Sequence, residues 1–418
     1  MAVVVSSLSD SGAGTLRQAI TDINAATATS PITFSVTGTI TLASALPAIN
    51  KNLTITGPGL SSLTISGNNL YRVFDITTGF TVSISGLTIS SGRANSGTGI
   101  SLFGGGIRNG TTGTGSALTV DSCYFTGCYA GSLGGGIFSY GTLNVTNTSF
   151  VSNTAIGNGS GIGLIAGTST IGNCTFSGNT GSAFYTQDPS TIYNCTFNGN
   201  TSASAAAAIY LSTDPTEAVY ILSSTISGNT STSGAGGVYK SEYGTVTVKN
   251  SIISGNTGTV TATDFNSYSN STIPISKVAN IVGNARGWTA DVATSVTLSA
   301  LANNGGLTQT MAVSAGSVAI GAGNATASNA SPVSGLDQRG TTRSATAPTI
   351  GAYEYVAATT TTTTTTPAPS TFNFPTSPST GQVYTFNGII WVWNGIGWKK
   401  RLILPSQDIF MSSNYGGL

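Results

Sequence analysis

The sequence contains no histidine, and only 14 basic and 13 acidic residues among 418, so that 6% of the chain is charged. Without histidine, and with four cysteines at spacings unlike those of a zinc motif, a zinc site is not expected. Neither a metal nor a cofactor is assigned. A net charge of +1 with no basic stripe gives no field for nucleic acid, and that class of function is set aside. No run of about eighteen apolar residues occurs, so no membrane span is expected. The opening Met1-Ala-Val-Val-Val-Ser has no basic segment followed by a long apolar core and does not read as a signal peptide. That start fits a protein that works where it is made, is released by lysis, or has lost an export signal.

In place of charge the chain carries 55 glycines and abundant Ser, Thr and Asn. Such a composition disfavours helices and suits many short strands joined by tight turns. Between Cys123 and Thr257 one phrase recurs six times, centred on Phe125, Phe150, Phe176, Phe197, Ile226 and Ile253, each 21 to 29 residues after the last. Five of the six copies place an Asn three residues later, at Asn153, Asn179, Asn200, Asn229 and Asn256. A second phrase of small residues leading to an apolar one precedes each centre by 13 to 18 positions, as in Gly104-Gly-Gly-Ile107 and Gly134-Gly-Gly-Ile137. A period in the twenties built from β-prone runs and Gly/Asn turns marks a solenoid of β coils. The glycines suit corners of positive φ or close backbone approach, and the Asn column suits a stacked amide ladder. Cys123, Cys174 and Cys195 fall two residues before their centres and share one column. A ladder of small buried side chains is the simplest reading, while a disulfide between the neighbours Cys174 and Cys195 stays open.

Leu16, Ala19, Ile20 and Ile23 form the one good helical stripe, with Thr15 as N-cap, and predict a helix covering the first coil. Short alternating runs follow, at Ile32–Phe34, Thr39–Leu42, Leu53–Ile55, Leu63–Ile65, Val82–Ile84 and Leu87–Ile89. The stretch from Ser7 to Ile20, with Ile40-Thr-Leu42 and Leu53-Thr-Ile55-Thr-Gly57-Pro58-Gly59, resembles the amino-terminal part of bacterial right-handed parallel β-helix surface-repeat proteins. The Gly-Gly-Ile and Phe-x-x-Asn phrases are similar to polymorphic outer-membrane-protein repeats, and Asp337-Gln-Arg339-Gly340 and Ile350-Gly-Ala-Tyr353-Glu354 to the end of the same proteins. The resemblance covers residues 6–355 and implies the fold more than a chemistry. The expected organisation is an N-terminal cap (1–30), a parallel β-helix (31–285), a closing segment (286–356), a Thr/Pro linker (357–371) and a small Trp-rich β module with a C-terminal arm (372–418). Asp337, Arg339, Arg343 and Glu354 are expected to form ion pairs that lock the closing segment.

Thr359 to Thr366 is an unbroken threonine run ending in Pro367-Ala-Pro369, a composition that cannot build a core. Beyond it, Gln382–Phe386, Ile389–Trp393 and Trp398–Leu402, with Asn387-Gly388 and Asn394-Gly395 between them, predict a three-stranded antiparallel meander. Trp391 and Trp393 should share a face. A sheet so small usually needs a partner surface or self-association, and Trp391, Trp393, Trp398, Lys399, Lys400 and Arg401 are the docking candidates. The last residues read as a polar arm with Ile409, Phe410 and Tyr415 as anchors. The phrase from Pro375 to Trp398 resembles a short module of phage structural proteins, notably those of cyanobacterial phages.

Glycoside hydrolysis needs two carboxyls facing each other across the bond. The clustered candidates are Asp188, Asp214 and Glu217, with Glu242, and Tyr185 and Tyr210 nearby offer rings for a glycan. Asp188 and Asp214 precede prolines, an ordinary turn pattern, while Glu217, Lys240 and Glu242 read as solvated loop charges. The expected function is therefore that of a non-enzymatic phage virion protein: a head decoration, fibre or tailspike-like appendage. Its expected partners are other virion proteins of capsid or tail, two further copies in a homotrimer, and a host surface glycan. A bacterial cell-surface adhesin and a polysaccharide depolymerase are the rival readings.

Overall fold

The computed structural model describes residues 2–357, apart from 114, 242, 269–274, 287 and 289–290, and then residues 375–386, 389–404 and 407–410. The chain divides into two compact units, Met1–Val356 and Ala357–Leu418. Among the described residues no helix is long and apolar enough to cross a membrane.

The first unit is a right-handed parallel β-helix whose coils contribute to three sheets. The first sheet has 11 strands, from Val3–Val5 to Ile275–Val278, and the second has 10, from Gly38–Thr41 to Ile281–Val282. The third has 12 strands, including Phe74–Ile76, Ile107–Asn109, Ile137–Ser139 and Phe265–Ser267. Pairing is parallel and, apart from shifts between Thr154–Leu164 and Thr180–Thr186, in register, so repeat positions stack on their copies one coil away. Phe125, Phe150, Phe176 and Phe197 are fully buried, with successive ring centroids 4.9, 4.8 and 4.5 Å apart and planes within 14°. The Asn column is equally strict. Asn179 donates from its backbone N and its Nδ2 to Asn200 Oδ1 (3.0 and 2.8 Å), and its Nδ2 also reaches Phe150 O (2.9 Å). Buried amides stacked in this way satisfy the corner backbone that the coil would otherwise leave unpaired.

Both roles foreseen for the glycine phrase occur together. Gly134 opens its phrase at φ +73°, whereas a Cβ on Gly136 would lie 2.6 Å from Gly161 O of the next coil. A further corner was not foreseen. Ser122, Asn147, Asn173, Asn194, Ser223 and Asn250 all have φ between 47° and 55°, immediately ahead of the Cys/Thr/Ser column. Asn and Ser tolerate this left-handed backbone better than bulkier residues, and Asn best of all. The four cysteines are free and buried, and burial pushes the Cys123 and Cys128 thiols up to about 12.

At the amino-terminal end the helix Leu16–Asn24 buries Leu16, Ala19, Ile20 and Ile23, and Thr15 accepts from Gln18 N at 3.2 Å. Val3–Val5, which the sequence analysis placed in the cap, is the first rung of the first sheet. At the other end Trp288, 8% exposed, packs its ring against Phe265 (5.0 Å) and fills the mouth of the core. The closing segment does not stack as further coils. Residues 298–354 fold back along the outside of the second sheet. There Gln338 accepts from Thr196 Oγ1 (2.6 Å) and donates to Thr175 Oγ1 (2.9 Å), while Ala352 N donates to Thr225 Oγ1 (2.9 Å). The expected ion pairs are present, Arg339 with Asp337 at 2.7 Å and Arg343 with Glu354 at 3.6 Å, with Asp337, Arg343 and Glu354 buried and Arg339 half-buried.

The second unit is an antiparallel sheet of four strands, Val383–Phe386, Ile389–Trp393, Trp398–Leu404 and Gln407–Phe410. The fourth replaces part of the expected arm: Ile409 and Phe410 pair with Leu402 and Arg401 because the third strand runs to Leu404 and leaves an edge to fill. Tyr415, the Asn387-Gly388 turn and the threonine linker lie outside the described residues.

Candidate functional site

The third sheet positions the site. Side chains alternate inward and outward along its strands, so Phe184, Ile209 and Val238 enter the core while Tyr185, Tyr210 and Tyr239 line up outside, paired coil to coil. Adjacent rings meet edge to face, with centroids 5.3 Å apart for both Tyr185–Tyr210 and Tyr210–Tyr239. The loops leaving these strands carry Asp188, Asp214 and Tyr243, and Tyr268 follows the next rung. With Tyr210 and Tyr239 they enclose an open cleft of about 500 Å³. That volume is in the range of small-molecule sites.

Asp188 sits in a loop fixed by Thr186, whose Oγ1 accepts from Asp188 N (3.0 Å) and donates to Asp188 O (2.8 Å). Its Oδ2 is shielded from solvent and has no hydrogen-bond partner among the described residues. Burial, and then the charges of Glu217 and Asp214, raise the Asp188 carboxyl from 3.8 to about 6. Asp214 is exposed on the loop of the next coil, and Glu217 is joined to it through Glu217 N to Asp214 O (3.0 Å). Three of the five sequence candidates, Asp188, Asp214 and Tyr210, thus meet in one cleft, with Glu217 acting on it by charge. Tyr185 does not line it. That ring is 7% exposed behind Tyr210, and its hydroxyl accepts from Gln187 Nε2 at 2.8 Å.

Lys240 corrects the sequence reading. It is not a solvated loop charge but the inward residue of the strand Val238–Lys240, fully buried, in register with the core residue Leu211. Tyr239 continues the outer tyrosine column, and alternation then forces Lys240 into the core. Its Nζ donates to Tyr243 O (2.6 Å) and Ser241 O (3.2 Å), and burial lowers its pKa from 10.5 to about 8. Glu242 lies outside the described residues. Tyr239 was missed by sequence reasoning because the outer column changes identity along the rod, from Phe138 through Gly163 to Tyr185, and Tyr268 because it follows its strand, where Asn266 takes the column position. Only the Tyr185, Tyr210, Tyr239 spacing could have revealed it.

In the second unit Tyr384 lies opposite Trp391, Trp393 opposite Trp398, and Trp391 opposite Lys400, so the three tryptophans share one face. The Trp393 and Trp398 rings are 5.8 Å apart and Tyr384 and Trp398 are 6.0 Å apart. Strand alternation splits the basic run: Lys400 belongs to the tryptophan face and Lys399, opposite Val392, to the other. The Arg401 backbone pairs with Phe410. Asn394 Oδ1 accepts from Ile396 N and Gly397 N (3.0 and 2.8 Å), which closes the second Asn-Gly turn.

No protein-family model matches the chain, and comparison with curated proteins gives no match.

Proposed function

We propose that this chain is a structural protein of a phage virion, a head decoration, fibre or tailspike-like appendage, used for attachment or particle stabilisation. The observation that carries the reading is the pairing of a charge-poor β-helical unit with a separate small sheet whose face holds three half-buried tryptophans. A long parallel solenoid is stiff and lets repeats be added without altering the ends. A small aromatic sheet gains stability from a surface laid on it. In this reading Trp391, Trp393, Trp398 and Lys400 dock on capsid or tail proteins or on two further copies of the chain.

The test is the protein content of particles purified through a density gradient. The chain is expected to co-purify with them, and its mass in solution to correspond to a trimer that a Trp391→Ser, Trp393→Ser variant loses. A chain missing from particles and recovered in a cell-envelope fraction would overturn the reading in favour of an adhesin. A depolymerase is a second reading, favoured by the convergence of Asp188 and Asp214 with Tyr210 in one cleft. A carboxyl held protonated toward neutral pH suits a general acid. New reducing ends on incubation with capsular polysaccharide, lost in Asp188→Asn, would support it.

A further inference from the structure

We infer that the tyrosine-lined cleft of the solenoid is a binding site for an organic ammonium ion, carried on an amino sugar or on a choline-type head group. The inference concerns the rod alone and is independent of where the rod is mounted.

Three features of the cleft converge on a cation. First, Asp188, Asp214 and Glu217 gather here in a chain with 13 acidic residues in all, and none of them joins an ion pair among the described residues. No described Lys or Arg lines the cleft: Lys240, next to Tyr239 in its strand, is fully buried, and its Nζ is engaged by the backbone carbonyls of Ser241 and Tyr243 behind the lining. Second, Asp188 Oδ2 is shielded and lacks a donor among the described residues, which leaves an acceptor for an N–H or for the positive rim of a quaternary ammonium group. Third, Tyr210, Tyr239, Tyr243 and Tyr268 surround the same space, the last two being 52% and 60% exposed at its rim. Aromatic faces attract ammonium groups through the ring quadrupole, and the attraction is greatest when the cation is partly desolvated.

Other ligand classes fit less well. An anion would meet like charge. A neutral sugar could stack on the rings but would leave the carboxylates uncompensated. Among the described residues no three His, Cys, Asp or Glu side chains are placed to hold a metal ion. A cleft of about 500 Å³ also exceeds the needs of a bare ion.

The full chain would be titrated by calorimetry with choline chloride, with a hexamer of glucosamine, and with the N-acetylated hexamer, which has the same frame without the charge. At least one ammonium probe is expected to bind, with the acetylated hexamer at least about tenfold weaker. Choline as the tighter probe would assign a quaternary head group, and the glucosamine hexamer an amino-sugar polymer. Asp214→Asn and Tyr239→Ser change exposed or half-exposed side chains and should melt like the parent chain, yet each should weaken binding about tenfold. Equal affinity for the free and acetylated hexamers would overturn the inference. So would no binding of either ammonium probe at about 10 mM, or binding unchanged in both variants.

Discussion

Asn256 donates from both its backbone N and its Nδ2 to a single oxygen, Asp264 Oδ1, each at 2.8 Å, and the amide ladder of the solenoid ends on that carboxylate. Every earlier Asn hands its donors to the Asn of the next coil, so the last one needs an acceptor with no donors of its own. A carboxylate meets that need where another amide would have to pass the problem on. A shorter ladder ends the same way: Asn280 donates from its Nδ2 to Asp291 Oδ2 at 2.8 Å.

The first prediction follows from that ending. Asp264 is 4% exposed, and its Oδ2 accepts from Asn284 N at 2.8 Å. Asp264→Ala would strand the two buried donors of Asn256 and the partly buried Asn284 N and should cost about 3 kcal/mol. Asp264→Asn keeps one acceptor and should cost about half as much. Urea unfolding measures the cost, and amide exchange should quicken at Asn256 and Asn284 while the coils around Asn179 stay protected, because neighbours in a solenoid couple only locally. Uniform loss of protection along the rod would show that the ladder does not end there energetically.

The lateral cover gives a second prediction. Arg343 is 2% exposed and donates to Asn194 Oδ1 (3.1 Å), Gly351 O (2.7 Å) and Thr349 O (2.9 Å), beside Glu354. Arg343→Met removes the charge and leaves Glu354 buried without it, a cost of about 3 to 5 kcal/mol. Residues 298–354 should then become open to proteolysis while the far-ultraviolet spectrum of the coils persists. Simultaneous loss of both would mean that coils and cover fold as one unit.

The coils were legible because each repeats its own instructions: a Phe or Ile for the core, an Asn for the ladder, glycines for the corner. Where a feature occurs once, the sequence is mute. Trp288 closes the core from a stretch with no periodicity, and Val3–Val5 is too short to be told from a leader. The ion pairs of residues 337–354 were foreseen from rare charges, but the path of that segment along the second sheet depends on the hydroxyls of Thr175, Thr196 and Thr225. Those residues look like any others in a threonine-rich chain. The cleft was half legible: Asp188 and Asp214 stood out as rare charges, but their partners Tyr239 and Tyr268 come from later coils and meet them only through the stacking register.

Asp188 makes stability depend on pH. Its folded pKa of about 6 lies above the ordinary 3.8, so between those values the folded chain holds more protons than the unfolded one, and stability falls as pH rises through that window. Asp188→Asn should therefore raise the melting temperature at pH 7.5 by about 2 °C and leave it unchanged at pH 3.5. Equal melting curves at pH 7.5 would show that solvent screens the carboxyl fully.

Lys240 sets the opposite slope at alkaline pH. Burial lowers its pKa from 10.5 to about 8, so between those values the unfolded chain binds the extra proton, and folding becomes more favourable as pH rises. Methionine matches the length of the side chain and adapts to irregular core space. Of the two carbonyls that Nζ now contacts, Tyr243 O keeps a donor in Thr213 Oγ1 at 3.1 Å. Replacing a buried cation that has no carboxylate partner among the described residues by an apolar residue of similar volume removes a desolvation cost. Lys240→Met should thus raise the melting temperature at pH 7 by about 2 °C, with the gain vanishing by about pH 10.5. A loss at pH 7 would mean that the bonds from Nζ to Ser241 O and Tyr243 O outweigh the cost of burying the charge. The lysine would then be a pin holding the loop that carries Tyr243 to the rim of the cleft.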